Sequence, residues 1–137
     1  MTKYRGADIT FARNTTGSTY VNITQVLELS PPGFSRDTID ATAYGNTWAD
    51  YLAGLNDGDE LTIKVAFDPA DAQHLALKGD VDAGLVKKFH LVNTAITPTR
   101  TLEISAIPVN WNEGGAKDGV YAMETTWKIV NPGVVIV

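Results

Sequence analysis

The chain has 137 residues, 44% hydrophobic and 20% charged, with a net charge of −5 and no cysteine. These values suit one globular domain, taken as residues 1–137, with a core of its own. They exclude disulfides and thiolate metal sites, and they lack the clustered Lys and Arg of a protein that grips nucleic acid tightly.

No apolar run is long enough to span a bilayer, so no membrane partner is expected. The opening MTKYRGADIT lacks the apolar centre of a signal peptide, which predicts synthesis in the cytoplasm. DITFAR (8–13) reads as a short first strand. TYVNITQVLEL (19–29) reads as a second, with a bulge near Gln25 where its alternation slips. DTIDAT (37–42) alternates, with Ile39 and Ala41 expected inward and Thr38, Asp40 and Thr42 outward.

The next stretch, 44–58, holds one Trp, two Tyr and two Leu without a clean period, and is read as a long loop. In DELTIKVAFD (59–68), Leu61, Ile63, Val65 and Phe67 form one face and Glu60, Thr62, Lys64 and Ala66 the other, which is a half-buried strand. A helix follows over 69–83. Asp68 is its expected N-cap, Pro69 its first residue and Asp71 its third. Ala72, Leu75, Ala76 and Gly79 are its expected packing stripe and Gly84 its stop.

KFHLV (88–92), TLEISAIPVNW (101–111) and GVYAMETTWKIV (119–130) are three more strands. In the last, Tyr121, Met123, Thr125, Trp127 and Ile129 share a face opposite Ala122, Glu124, Thr126 and Lys128. NEGGAKDG (112–119) is a turn cluster that joins the last two strands as a hairpin. The apolar tail NPGVVIV needs a strand to pair with, in its own sheet or a neighbour's. The fold class is mainly β (α+β): a sandwich or barrel of antiparallel strands with one helix.

Residues for catalysis are missing. His74 and His90, read as surface or half-buried histidines, stand in no metal-ligand spacing. Asp57, Asp59 and Glu60 do not fit a calcium loop. Ser18, Ser30, Ser35 and Ser105 have no nucleophile-elbow context. No catalytic, cofactor or metal site is assigned and no enzyme is expected.

Three features in a fixed order carry a resemblance. SPPGFSRDTIDATAYG (30–45) is followed by an aromatic and leucine segment ending YLAGLNDGDEL (51–61), then by a strand running into FDPADAQHLAL (67–77). This order resembles the major tail tube proteins of long-tailed bacteriophages, the lambda-like family. The resemblance implies two packed antiparallel sheets in a barrel-like sandwich flanked by a helix. It also implies hexameric rings stacked into a tube in the virion, with DNA passing through the lumen unbound. The long loop and the N-terminal arm reach between rings. Implied partners are other copies of the chain, a tape-measure protein, and tail terminator and tip proteins.

On that reading Tyr44, Trp48, Tyr51, Leu52 and Leu55 are interface residues, since large exposed apolar groups on a loop are a liability for a monomer. Packing of 48, 51, 52 and 55 as a short helix on the subunit's own core is the alternative. Asp40, Thr42, Glu60, Thr62, Lys64, Glu124, Thr126 and Lys128 are lumen-facing candidates; either the two lysines pair with carboxylates across strands, or these faces look outward and another sheet lines the tube. Rival functions are the tube of a contractile or type VI secretion-type injection system and a β-sandwich ligand-binding module.

Overall fold

The computed structural model describes residues 9–95 and 99–137. The N-terminal arm, residues 1–8, lies outside them. Nine strands and one helix run in the order β1 (Ile9–Thr16), β2 (Thr19–Asn22), β3 (Val26–Leu29), β4 (Phe34–Asp40), β5 (Tyr51–Gly58), β6 (Glu60–Ala66), α1 (Ala72–Ala83), β7 (Lys87–Asn93), β8 (Thr101–Gly114) and β9 (Ala122–Ile136). Seven strands form an antiparallel sheet in the order β2-β1-β7-β8-β9-β6-β3, and β4-β5 form a separate two-stranded sheet.

The large sheet has to curl. Its edge strands, β2 and β3, are joined by residues 23–25 alone. Seven flat strands would hold these edges about 29 Å apart, whereas four Cα steps reach about 14 Å. The linker ties both edges together. Ile23 N–H donates to Phe11 O at 2.8 Å, and Ala66 N–H to Gln25 O at 2.9 Å. Gln25 turns the corner with φ 59. The single strand expected over 19–29 is therefore two, broken at the residue where its alternation slips. The ladder does not close into a barrel, and a groove of about 640 Å³ lined by Ile9, Phe11, Thr24, Val26 and Leu29 marks the seam.

Curling makes two layers from one sheet, which is the sandwich. β8 passes between them, with register shifts between Ile104 and Ala106 and between Pro108 and Asn110; such bulges bend a strand. Leu61, Ile63 and Val65 of β6 and Met123, Thr125, Trp127 and Ile129 of β9 are buried, as their alternation requires. Phe89 of β7 stacks on Phe11 at 5.2 Å and meets Trp127 edge-on at 5.0 Å, which joins the layers. The tail is paired within the chain, Ile136 lying opposite Leu102 and Val134 opposite Ile104.

The helix departs from expectation at its start. Residues 69–70 form a turn, and the helix runs 72–83 with Asp71 as N-cap, its Oδ1 accepting from Gln73 N–H at 2.8 Å. Asp68 Oδ1 instead accepts from Ala70 N–H at 3.0 Å, so this carboxylate closes the turn before the helix. The buried face is His74, Leu77 and Asp80, not the expected small residues, and Leu75 is exposed. His74, expected near the surface, is fully buried. Asp68 N–H donates to its Nδ1 at 3.1 Å, so the ring carries its proton on Nε2 and donates to Thr24 O at 2.7 Å. At the far end Arg13 Nε donates to Asp80 Oδ2 at 2.8 Å, locking the helix to β1 in a buried pair. Gly84 ends the helix at φ 69, as expected.

Candidate assembly surfaces

The β4-β5 hairpin has no core. Every residue of β4 is exposed, including Ile39 at 54%, so the inward face expected for Ile39 and Ala41 does not exist; Ala41 lies past the strand end. The expected loop 44–58 is a connector only to Asp50, because Tyr51–Gly58 is β5 and pairs back on β4. That pairing engages one edge of each strand and leaves the side chains uncovered. Tyr44, Trp48, Tyr51, Leu52 and Leu55 are all exposed, Trp48 at 85% and Leu55 at 92%. They do not form a helix on the core. Ile39 and Leu52 lie opposite each other, which concentrates apolar surface on one side of the hairpin.

The hairpin is free at its tip and fixed at its root. Asp59 N–H donates to Gly33 O at 3.0 Å, and Ile129 N–H donates to Asp59 O at 3.1 Å. Lys128 Nζ donates to Gly58 O and pairs with Asp57 Oδ1 at 3.0 Å. A Cβ on Gly58 would run into the Ile129 backbone, so only glycine lets β5 approach β9 this closely. Near the tip, Asp40 Oδ1 accepts from Thr42 N–H at 2.9 Å, and Asp50 N–H donates to Thr42 Oγ1 at 2.8 Å. The Thr42 hydrogen bonds hold the Asp40 carboxyl below its ordinary pKa. Asp40 and Thr42 therefore belong to the hairpin and stand apart from the other six lumen candidates.

Those six share one surface. Glu60, Thr62 and Lys64 lie opposite Lys128, Thr126 and Glu124, on the sides of β6 and β9 turned away from the core. β3 adds Glu28 opposite Lys64, and β8 adds Asn110 and Asn112 opposite Thr126 and Glu124. The outer face of the layer β8-β9-β6-β3 thus carries hydroxyls, amides and charges of both signs. Lys64 sits between two carboxylates, those of Glu28 and Glu124. Lys128 reaches past Glu60 to Asp57.

A third surface was not visible in the sequence. On the outer face of the other layer, Tyr20 stacks on His90 with centroids 3.4 Å apart, and His90 Nε2 meets Glu103 Oε2 at 3.3 Å. Lys88 Nζ stands 3.4 Å from Glu103 Oε1. The His90 hydrogen bond lowers the Glu103 pKa, and burial, then the Glu103 charge, raises that of Tyr20. Sequence neighbours carry no sign of this cluster, because it is assembled by the β1-β2, β1-β7 and β7-β8 registers. Among the described residues no group of His, Asp or Glu is placed to hold a metal ion, and no helix is long and apolar enough to cross a membrane.

An exposed apolar hairpin with a fixed root thus stands beside a polar-faced layer. The sequence matches the family of phage tail tube proteins described as lambda-like (TTP) over residues 1–119. The chain belongs to that family. Membership makes it a structural protein of the virion tail. No curated protein matches it in sequence. Among solved structures, its fold is similar to the tail of an empty gene transfer agent particle refined with C6 symmetry, at 16% identity and TM-score 0.79, over 98% of this chain and 99% of that one. It is also similar to the SPP1 tail tube, at 11% identity and TM-score 0.75, over 98% and 78%. A third likeness is to the sheath-tube complex of the extracellular contractile injection system PVC in its extended state, at 16% identity and TM-score 0.73, over 98% and 91%. At such identities these likenesses speak for the fold.

Proposed function

We propose that this chain is the major tail tube subunit of a long-tailed phage, forming six-membered rings that stack into a conduit for DNA. The observation that carries the reading is the hairpin: an apolar surface with a fixed root and no core of its own needs a partner, and in a homopolymer the partner is another copy. Tyr44, Trp48, Tyr51, Leu52 and Leu55 are its anchors. The six-fold count is supported by the C6 symmetry of the similar gene transfer agent tail. The polar face of Glu60, Thr62, Lys64, Glu124, Thr126 and Lys128 lines the conduit. It offers passing DNA no cationic patch, because each lysine has carboxylates beside it.

The role is structural and not enzymatic, and the other partners are tape-measure, terminator and tip proteins. The tube of a contractile machine is the second reading, favoured by the likeness to the sheath-tube complex; a sheath gene beside this one would decide for it. Negative-stain electron microscopy of the purified protein tests the assembly. Six-fold rings or tubes are expected, and a protein that stays monomeric at high concentration overturns the reading.

A further inference from the structure

We propose that Lys128 is the strut that sets the angle of the β4-β5 hairpin, so that one side chain on the polar-faced layer positions the assembly anchors. The inference rests on the tube reading and deepens it by naming what aims the hairpin at the next copy.

The root by itself is a pivot. Among the described strands, β4 and β5 pair only with each other. The chain enters the hairpin at Gly33 and leaves it at Gly58. Asp59 N–H donates to Gly33 O, and Ile129 N–H donates to Asp59 O. Both bonds belong to one residue, Asp59. They fix where the hairpin attaches and leave it free to turn about the line that joins them.

The surroundings do little to stop that turning. Gly58 lies tight against the Ile129 backbone, which blocks closer approach to β9 at that one point. Beside this contact a cavity of about 420 Å³ separates the hairpin from β9, with Phe34, Asn56 and Asp57 on one wall and Val130, Pro132 and Val134 on the other. The β9 wall is a bulge: residues 130–133 stand where β8 has Ser105 alone. A gap of this kind gives no dispersion contact to hold an angle.

Lys128 crosses it. The β6-β9 register places Lys128 opposite Glu60, on the side of the layer turned from the core. Its Nζ nevertheless donates to Gly58 O and stands 3.0 Å from Asp57 Oδ1. The strut thus grips β5 at two consecutive residues beyond the pivot. The ion pair alone holds little, since the Asp57 side chain is 75% exposed. The carbonyl is the firmer grip, because the bond is charge-assisted and its acceptor is backbone with no rotamer to leave by. Leverage makes the angle matter. β5 has eight residues, and at about 3.4 Å each a turn of about 10° at the root carries the tip about 5 Å. That is enough to take Trp48 out of register with a neighbour.

The chain has no cysteine, so two added ones are the only label sites. Asn46→Cys near the tip and Ala83→Cys at the helix end are both exposed. Spin labels on them report the hairpin's angle in the free subunit by pulsed electron resonance. The native chain should give one narrow distance distribution. Lys128→Met should broaden it and leave thermal melting unchanged. If the correct angle is then held about a tenth of the time, the apparent affinity for a growing tube falls about tenfold. Lys128→Arg keeps charge and donor and should restore both readouts. Asp57→Asn keeps the carbonyl bond and should act less than Lys128→Met. If Lys128→Met keeps the native distances and assembles normally, or if arginine fails to rescue it, the strut is wrong and the tube reading stands. Early melting of Lys128→Met also overturns the strut, by making Lys128 a support of the fold. A native chain that never assembles overturns the tube reading, while the distances in the free subunit still decide the strut.

Discussion

Asp71 is the carboxylate on which the helix start depends. Its side chain accepts from Thr24 Oγ1 at 2.7 Å and from Gln73 N–H, and these hydrogen bonds, the Thr24 one foremost, hold its pKa below the ordinary value. A lowered folded pKa means stability that is present above the ordinary carboxylate value of about 4 and is lost as the pH falls through the folded value. Asp71→Ala should therefore melt a few degrees below the native chain at neutral pH, and the gap should close in acid. Asp68→Ala should move the melt less, since Asp68 caps only the preceding turn. Arg13→Met is the harsher change. It leaves the buried Asp80 carboxylate with only Lys87 Nζ at 3.5 Å, and it should cost about 3 kcal/mol in urea unfolding. The sequence pointed to a cap three residues too early because Asp68 followed by Pro69 is as good a start signal as Asp71. Tertiary packing decided between them, by burying His74 against Thr24 O and Asp68 N–H.

Among the elements, the strands with one buried face could be read from the sequence, because alternation is the trace that burial leaves. β6 and β9 follow it residue by residue. β5 could not be read, because a strand with no buried face has no reason to alternate. That separation yields a prediction. Trp48→Ser with Leu52→Ser should leave the subunit's circular dichroism and melting unchanged while rings no longer stack, a loss of about 2 kcal/mol or more for each anchor; sedimentation velocity reads the change. If the double variant unfolds, the hairpin is supporting the core after all. Gly58→Ala acts at the root instead, where the new methyl meets the Ile129 backbone, and should cost about 1–3 kcal/mol through overpacking.

For the whole molecule, the lumen hypothesis divides the sequence candidates in two. Glu60→Lys with Glu124→Lys makes the outer face of the β8-β9-β6-β3 layer cationic. The expected result is intact tubes with slower DNA ejection, and a delay that shrinks as salt rises, since the added contacts act by counterion release. Asp40→Lys reverses one charge on the hairpin, away from that face, and should leave ejection at the native rate. Equal delays from both would place the lining elsewhere.

The link between β2 and β3 also sets an order in time. β1 pairs with β7, Ile9 lying opposite Asn93, and β6 has to wait for β9, Leu61 lying opposite Trp127. While the chain is being made, sequence neighbours such as β1 and β2 or β4 and β5 can find each other first. Non-local pairings form late because loop closure precedes the gain from contact. The layer that would carry the conduit cannot exist until the last strand has been synthesised. A nascent chain can therefore display the sticky hairpin, but not the surface that would fix it in a growing tube, so polymerisation waits for a finished subunit.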